Sequence, residues 1–223
     1  RDRVQGNRGL ARLDLEHDRV GDVGATELGE ALLSNKTLIS LSLQDNDVEA
    51  EGAAQLALGL ASNKSLLRLE LGSNRVGSVG AAHFAEALMG SAGSASNTGR
   101  LTYLGLKCNQ IGDEGARALA SALAINSSLT VLELQENRVT DEGAETLAKA
   151  LQHNRHSAIC ELPLQRNRVS PRAAAGLTIA LGQSRARARR REVFWELLLM
   201  LRLCSGPASC FTRLQRGAAE VRD

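Results

Sequence analysis

The chain has 223 residues and a mass of 23.7 kDa, the size of one ordinary domain. Hydrophobic residues make up 43% and charged residues 23%, which excludes a disordered or collagen-like polymer. Twenty-seven basic against 25 acidic side chains leave a net charge of +2, too even for a nucleic-acid binder over its whole surface. Aromatic residues are only 2% of the chain, so its core is predicted to be thin and filled by Leu, Ala and Val.

Residues 1–9 already follow a pattern that recurs later. Asn7-Arg8-Gly9-Leu10 aligns with Asn35-Lys36-Thr37-Leu38 and Asn63-Lys64-Ser65-Leu66, and Val4 stands where Leu32 and Leu60 stand. The chain therefore opens inside the helix of an earlier, partial repeat. With Arg1 in first place, it reads as a fragment of a longer protein.

From residue 10 the pattern L-x-x-L-x-L-x-x-N repeats six times, the copies starting at 10, 38, 66, 101, 129 and 159. Its last position holds Asp18, Asn46, Asn74, Asn109, Asn137 and Asn167, spaced 28, 28, 35, 28 and 30 residues apart. Two residues further on stands Val or Ile: Val20, Val48, Val76, Ile111, Val139 and Val169. A glycine follows (Gly24, Gly52, Gly80, Gly115, Gly143), with Ala173 in the last copy. Then apolar residues fall at i, i+3, i+4 and i+7, as in Ala116, Leu119, Ala120, Leu123 and in Ala144, Leu147, Ala148, Leu151. That is one buried helix face.

Each repeat is thus a short strand, a turn and a helix. The second and third leucines of the pattern point inward from the strand, and alternate residues point outward. The Asn column is placed to bond backbone groups that stacked coils would bury in the turn. Ser170-Pro171 reads as N-cap and first helical residue. Asp113-Glu114 and Asp141-Glu142 put negative charge at helix starts. Asn35, Asn63, Asn126 and Asn154 close the helices, a position where Asn tolerates left-handed backbone geometry. Three of them open Asn-x-Ser/Thr tripeptides, which are read as structural and not as marks of secretion.

One repeat cannot bury its own apolar face, so the stack is the unit of stability. Strands about 4.8 Å apart against helices roughly 8–10 Å apart, in layers about 10 Å apart, bend the stack by roughly 0.4 radian per repeat. Six repeats would make an arc of about 120°, with the parallel sheet on the concave side and the helices on the convex side.

The third repeat carries seven extra residues within Met89–Arg100, small and polar, which read as a flexible loop. After Ser184 the pattern stops. Residues 183–223 hold nine Arg, no Lys and four acidic residues. The run 185–191 is read as a solvated, flexible arginine stretch, with nucleic-acid or membrane contact the less favoured reading. The apolar run 193–203 is too short to cross a bilayer. Leu198-x-x-Leu201-x-Leu203 echoes the repeat strand and reads as a cap on the end of the core, with a plain apolar helix as the alternative.

The consensus L-x-x-L-x-L-x-x-N-x-[VI]-x-x-x-G-A-x-x-L-A-x-A-L, at its 28-residue step, resembles the ribonuclease-inhibitor-like leucine-rich repeats over about residues 1–184. That repeat class occurs in the ribonuclease inhibitor, in NOD-like receptors and in Ran GTPase-activating protein. The resemblance implies an α/β leucine-rich repeat solenoid, an open horseshoe segment. It also implies a cytoplasmic or nuclear, non-enzymatic protein-interaction module or scaffold that uses the concave face. One form of that reading is the sensing segment of a NOD-like-receptor-type protein. The alternative is a GTPase activator of the Ran-activator type. The chain departs from the ribonuclease inhibitor in being poor in Cys and Trp. It departs from the Ran activator in ending in arginines, and no catalytic arginine of that family is matched.

Sites for other chemistry are not found in the sequence. There is no G-x-x-x-x-G-K-[ST], no G-x-G-x-x-G after a strand and no H-E-x-x-H. Cys108, Cys160, Cys204 and Cys210 form no C-x-x-C pair, and the four histidines are scattered, so no metal and no cofactor are expected. What remains is the concave face, expected to meet a protein partner and no small-molecule substrate. Its candidate residues are Arg12, Asp14, Glu16, Arg68, Glu70, Tyr103, Lys107, Glu133, Gln135, Glu161 and Gln165. Beside the Asn column, Arg19, Arg75, Arg138 and Arg168 form a candidate arginine rim suited to carboxylates or phosphates.

Overall fold

The structure is a computed structural model that describes residues 9–90 and 100–203, with side chains through 187. It divides into two compact units, Arg1–Arg185 and Ala186–Asp223. The expectations for residues 1–8, for the extra loop at 91–99 and for 204–223 lie outside the described residues.

The first unit alternates strands and helices. In chain order these are β1 (Arg12–Asp14), α1 (Gly21–Ser34), β2 (Ser40–Ser42), α2 (Ala50–Ser62), β3 (Arg68–Glu70) and α3 (Gly77–Met89). Then come β4 (Tyr103–Gly105), α4 (Asp113–Leu123), β5 (Val131–Glu133) and α5 (Asp141–His153). The last helix, α6, is Pro171–Leu203. The five strands make one parallel sheet in sequence order. The register is unbroken: Leu13, Leu41, Leu69, Leu104 and Leu132 lie side by side. The seven-residue excess before β4 therefore costs the sheet no shift. This is the α/β solenoid that the repeat pattern implies.

The sixth copy departs from the pattern. It joins the sheet only by a bridge from Val131 to Glu161. Pro163 sits at the position of Ser42, Glu70, Gly105 and Glu133 and has no N–H to give to the preceding strand.

The core is the leucine, alanine and valine interior expected. Leu41, Leu43, Leu69, Leu71, Leu104, Leu106, Leu132 and Leu134 are fully buried, and Phe84 is the large aromatic among them. The helix faces close it through Ala116, Leu119, Ala120, Leu123 and their equivalents in α5. Small residues let the helices come near one another. A Cβ on Gly80 would stand 2.9 Å from that of Ala53 in the preceding coil, and one on Gly115 3.0 Å from Ser78 Cα.

Two asparagine columns tie the coils together. In the first, Asn46 accepts the N–H groups of Asp18 (3.1 Å) and Val20 (3.0 Å) and donates to the carbonyls of Leu15 (2.7 Å) and Gln44 (2.8 Å). Asn74, Asn109, Asn137 and Asn167 repeat this in turn. Left-handed non-glycine backbone flanks the column: His17 and Arg19, Asp45 and Asp47, Cys108 and Gln110 all have φ between 52° and 61°.

The second column does not use the left-handed geometry that Asn tolerates at a helix end. Asn35, Asn63 and Asn154 are extended, with φ of −72°, −77° and −75°, and not left-handed. Their side chains explain why. Asn63 accepts from the N–H groups of Ser65 (2.9 Å) and Leu66 (2.8 Å), which holds the next strand. It donates back to Leu32 (2.8 Å) and Asn35 (2.9 Å), filling a carbonyl in the last turn of the preceding helix. Asn126 and Asn154 do the same toward Leu88 and Leu123. An extended backbone aims the amide both ways at once.

Ser170 caps α6 as expected, its hydroxyl accepting the Ala173 N–H at 3.3 Å. The stretch 185–203 is helical, which for 193–203 is the apolar-helix alternative and not a repeat-like strand. No Gly or Pro interrupts 183–203, and Ala, Arg, Glu and Leu are strong helix formers. No helix among the described residues is long and apolar enough to cross a membrane.

Candidate functional site

The outward strand positions form two rows across the sheet. One row runs Arg12, Ser40, Arg68, Tyr103, Val131. The next runs Asp14, Ser42, Glu70, Gly105, Glu133. The register thus brings Arg68, Glu70, Tyr103 and Glu133 together at the centre of the face.

Their contacts make one cluster. The Arg68 guanidinium lies 3.4 Å over the Tyr103 ring. Its Nε donates to Glu70 Oε1 at 2.6 Å. The Glu133 carboxylate, one strand over, faces the Tyr103 phenol. Burial pushes the Tyr103 pKa up, and the Glu133 carboxylate adds to it, with Arg68 opposing. Burial would lower Arg68, but its bond to Glu70 and the surrounding carboxylates raise it overall. So the arginine stays charged and the phenol stays protonated through the neutral range.

Glycine makes the floor. A Cβ on Gly105 would lie 3.2 Å from Tyr103 Cε1, so the ring leans along its own strand over a position with no side chain. Gly72 similarly takes the side chain of Gln44, whose Oε1 would lie 3.0 Å from a Cβ there.

A second group sits at the turn end of the same face. Lys107 Nζ is 3.1 Å and Arg166 Nη1 is 3.3 Å from Glu136 Oε1. The Lys107 hydrogen bond lowers the Glu136 pKa, and Cys108 contributes a second. Burial, then Glu136, raises the Cys108 thiol. Gln135 beside them has a buried Oε1 with no hydrogen-bond partner.

The other sequence candidates stand apart. Arg12, Asp14 and Glu16 are exposed on the first coil, with Asp14 accepting the Glu16 N–H at 3.2 Å. Glu161 and Gln165 are exposed on the last. The arginine rim is not uniform. Arg75 is 3.0 Å from Asp47 and 3.3 Å from Glu49 of the preceding coil. Arg138 donates to Gln110 Oε1 at 3.0 Å. Arg19 and Arg168 are exposed and make no ion pair among the described residues. Sequence reasoning missed Glu136 and Arg166; the signal was their place immediately before the Asn column, next to Lys107 and Cys108.

Among the described residues no group of three or more His, Cys, Asp or Glu side chains is placed to hold a metal. Cys108 and Cys160 are free thiols.

Comparison with known proteins agrees with this architecture. The family model described as Leucine Rich repeat matches residues 34–57, 62–85, 101–120 and 126–148. No curated protein matches. Two solved structures are similar in fold. One is described as leiomodin-1 actin-binding site 2, with 17% identity, a TM-score of 0.54, and coverage of 89% of this chain and 94% of that one. The other is the tropomodulin C-terminal domain of Caenorhabditis elegans, with 15% identity, a TM-score of 0.50, and coverage of 86% and 95%. The chain is built of leucine-rich repeats.

Proposed function

We propose that this leucine-rich repeat chain works as a non-enzymatic protein-binding module whose concave, strand-lined face docks a protein partner. One observation carries the reading: the Arg68 guanidinium held over the Tyr103 ring, with Glu70 accepting from its Nε. Tyr and Arg are the side chains most enriched at interface hot spots. Here both are immobilised before any partner arrives, which reduces the ordering cost of binding. Lys107 and Gln135 extend the centre on one side. Arg12, Asp14 and Glu16 on the first coil and Glu161 and Gln165 on the last frame it, and the arginine rim borders it.

The finer readings follow from the sequence resemblance. The repeats are of the ribonuclease-inhibitor-like kind, the chain acts in the cytoplasm or nucleus, and it serves as a scaffold or as the sensing segment of a NOD-like-receptor-type protein. GTPase activation is the alternative, and a GTP-hydrolysis assay with a Ran-like GTPase separates it: acceleration would replace the binding reading. Because one structural neighbour is described as an actin-binding site, actin is a first partner to try.

The test is partner recovery by the intact chain with Tyr103, Lys107, Glu133 and Gln135 replaced by Ala. Leu58→Ala on the exposed helix side serves as control. Loss with the fourfold variant alone is expected. Equal recovery by all three proteins removes the concave-face assignment.

A further inference from the structure

The turn edge of the coils carries a charge order that the asparagine columns do not require. On the second and third coils it is acidic or neutralised, with Asp45, Asp47 and Glu49 and with Arg75 paired to the last two. On the fifth and sixth coils it carries Arg138, Arg166, Arg168 and Arg172. Three acids stand among them. Glu136 is shared between Lys107 and Arg166. Asp141 accepts the Ser170 N–H at 2.6 Å and stays ionised. Glu142 lies 2.6 Å from Arg117. Arg168 and Arg172 are exposed and make no ion pair among the described residues.

Arg172 also breaks a local rule. It lies in the first turn of α6, which holds no acidic residue. The same position holds Glu51, Glu114 and Glu142 in other coils. A cation at the positive end of a helix is unfavourable. Such a choice, next to two further arginines, makes sense where the surface meets opposite charge. Thr140 and Arg168 bridge in parallel, which sets Arg168 on the coil next to the one that carries Arg138. Guanidinium forks on adjoining coils suit a row of carboxylates.

We propose that this edge, formed by Arg138, Arg166, Arg168 and Arg172, binds an Asp- and Glu-rich segment of a protein. The proposal rests on the reading above only in taking a protein as partner; it uses a different surface. A nucleic acid fits less well. The described aromatic side chains are Phe84, in the core, and Tyr103, on the sheet face, so none stands at this edge to stack a base.

The experiment is fluorescence anisotropy of the intact chain with labelled deca-glutamate at several salt concentrations. Binding that weakens with salt is expected, as is a loss of at least about tenfold with Arg168→Glu/Arg172→Glu. The milder Arg168→Gln/Arg172→Gln pair should lose affinity in the same direction and guards against a folding defect. Changing Arg185, Arg187, Arg189 and Arg190 to Gln should cost less than about twofold. The proposal is overturned if the Arg168/Arg172 variants bind like wild type, or if the 185–190 variant alone abolishes binding. It is overturned too if a ten-residue oligothymidylate binds this edge as tightly as deca-glutamate. Tyr103 and Glu133 take no part in the readout, so this proposal and the concave-face reading fail independently.

Discussion

Asp113 Oδ1 accepts the backbone N–H of Thr140, 2.8 Å away and one coil further along the chain. The Thr140 hydroxyl donates to the other carboxylate oxygen at 2.6 Å, and Gly143 N–H adds a third bond at 3.1 Å. A residue in the first turn of one helix thus caps the next helix. Asp22 does this for Glu49 (2.7 Å), Ser78 for Gly112 (3.0 Å) and Asp141 for Ser170 (2.6 Å). The relay is broken once, at Ala50, which has no acceptor to offer. There the next coil changes its turn: Gly77 takes φ 62° and sends its N–H forward to the Asn109 carbonyl at 2.9 Å.

This relay sets an acid limit. Burial would raise the Asp113 pKa, but the Thr140 and Gly143 hydrogen bonds, with the Arg117 charge, outweigh it and hold the group below its ordinary 3.8. A carboxyl depressed on folding adds stability above its unfolded pKa and loses it as pH falls through the folded one. Asp113→Asn should therefore be less stable than wild type at neutral pH, and the gap should close as pH drops below about 3.8. Urea melts at pH 7, 5 and 3 read this directly; a gap that stays constant with pH would contradict it.

The two turn types predict opposite responses to the same substitution. Gly77→Ala places a side chain at φ 62° and should cost about 1–2 kcal/mol despite open space around it. Gly112 is extended at φ −100°, and a Cβ there meets Ser78 Oγ at an ordinary 3.6 Å. Gly112→Ala should be neutral or stabilise by a few tenths of a kcal/mol, through the unfolded chain. Thermal denaturation of both variants decides between this account and a generic need for glycine.

The first asparagine column should be unforgiving in its middle. Asn109 is fully buried, donates to Leu71 (2.7 Å) and Lys107 (2.9 Å) and accepts from Val76 (3.1 Å). Asn109→Ala leaves the buried Val76 N–H unpaired and takes one bond each from the Leu71 and Lys107 carbonyls, which keep those from Asn74 and Ser73, and should cost about 2–3 kcal/mol. Asn109→Asp keeps the acceptor but sets a carboxylate against two carbonyls, and should also destabilise. Asp18, which starts the column and is exposed, should accept Asn within about 0.5 kcal/mol. Chemical denaturation of the three variants gives the order.

The Arg68–Tyr103 stack should be measurable by itself. A double-mutant cycle with Arg68→Ala and Tyr103→Leu should return a coupling of about 0.5–1 kcal/mol. Coupling near zero would mean that the two side chains do not hold each other in place, and the preorganised centre would be lost as an argument.

The strands were legible because their leucines recur at period two inside a fixed frame, and Leu41, Leu69 and Leu104 land in register as the pattern requires. The helix faces were legible for the same reason at period 3.6. What escaped was whatever depends on the neighbouring coil. Asn63 looks like an ordinary helix stop until Leu32 and Asn35 stand behind it. Asp113 looks like a dipole charge until Thr140 arrives 27 residues later. The face residues could be named one by one, but not their coupling, since Tyr103 leans where it does because Gly105 lacks a Cβ. The Pro163 break was visible as a residue type, and its effect followed only from the alternation of free and paired strand positions.

The second asparagine column bears on a modification that acts before folding. Asn35, Asn63 and Asn126 each open an acceptor tripeptide for oligosaccharide transfer, and each is nearly closed to solvent, at 5%, 3% and 2% exposure. Asn63 spends both hydrogens of its Nδ2 on the preceding coil. A sugar on that nitrogen removes one of them and puts a bulky group where two coils meet. The coils can close only around bare amides, so this solenoid has to be assembled before, or away from, any glycosyl transferase that reads those tripeptides.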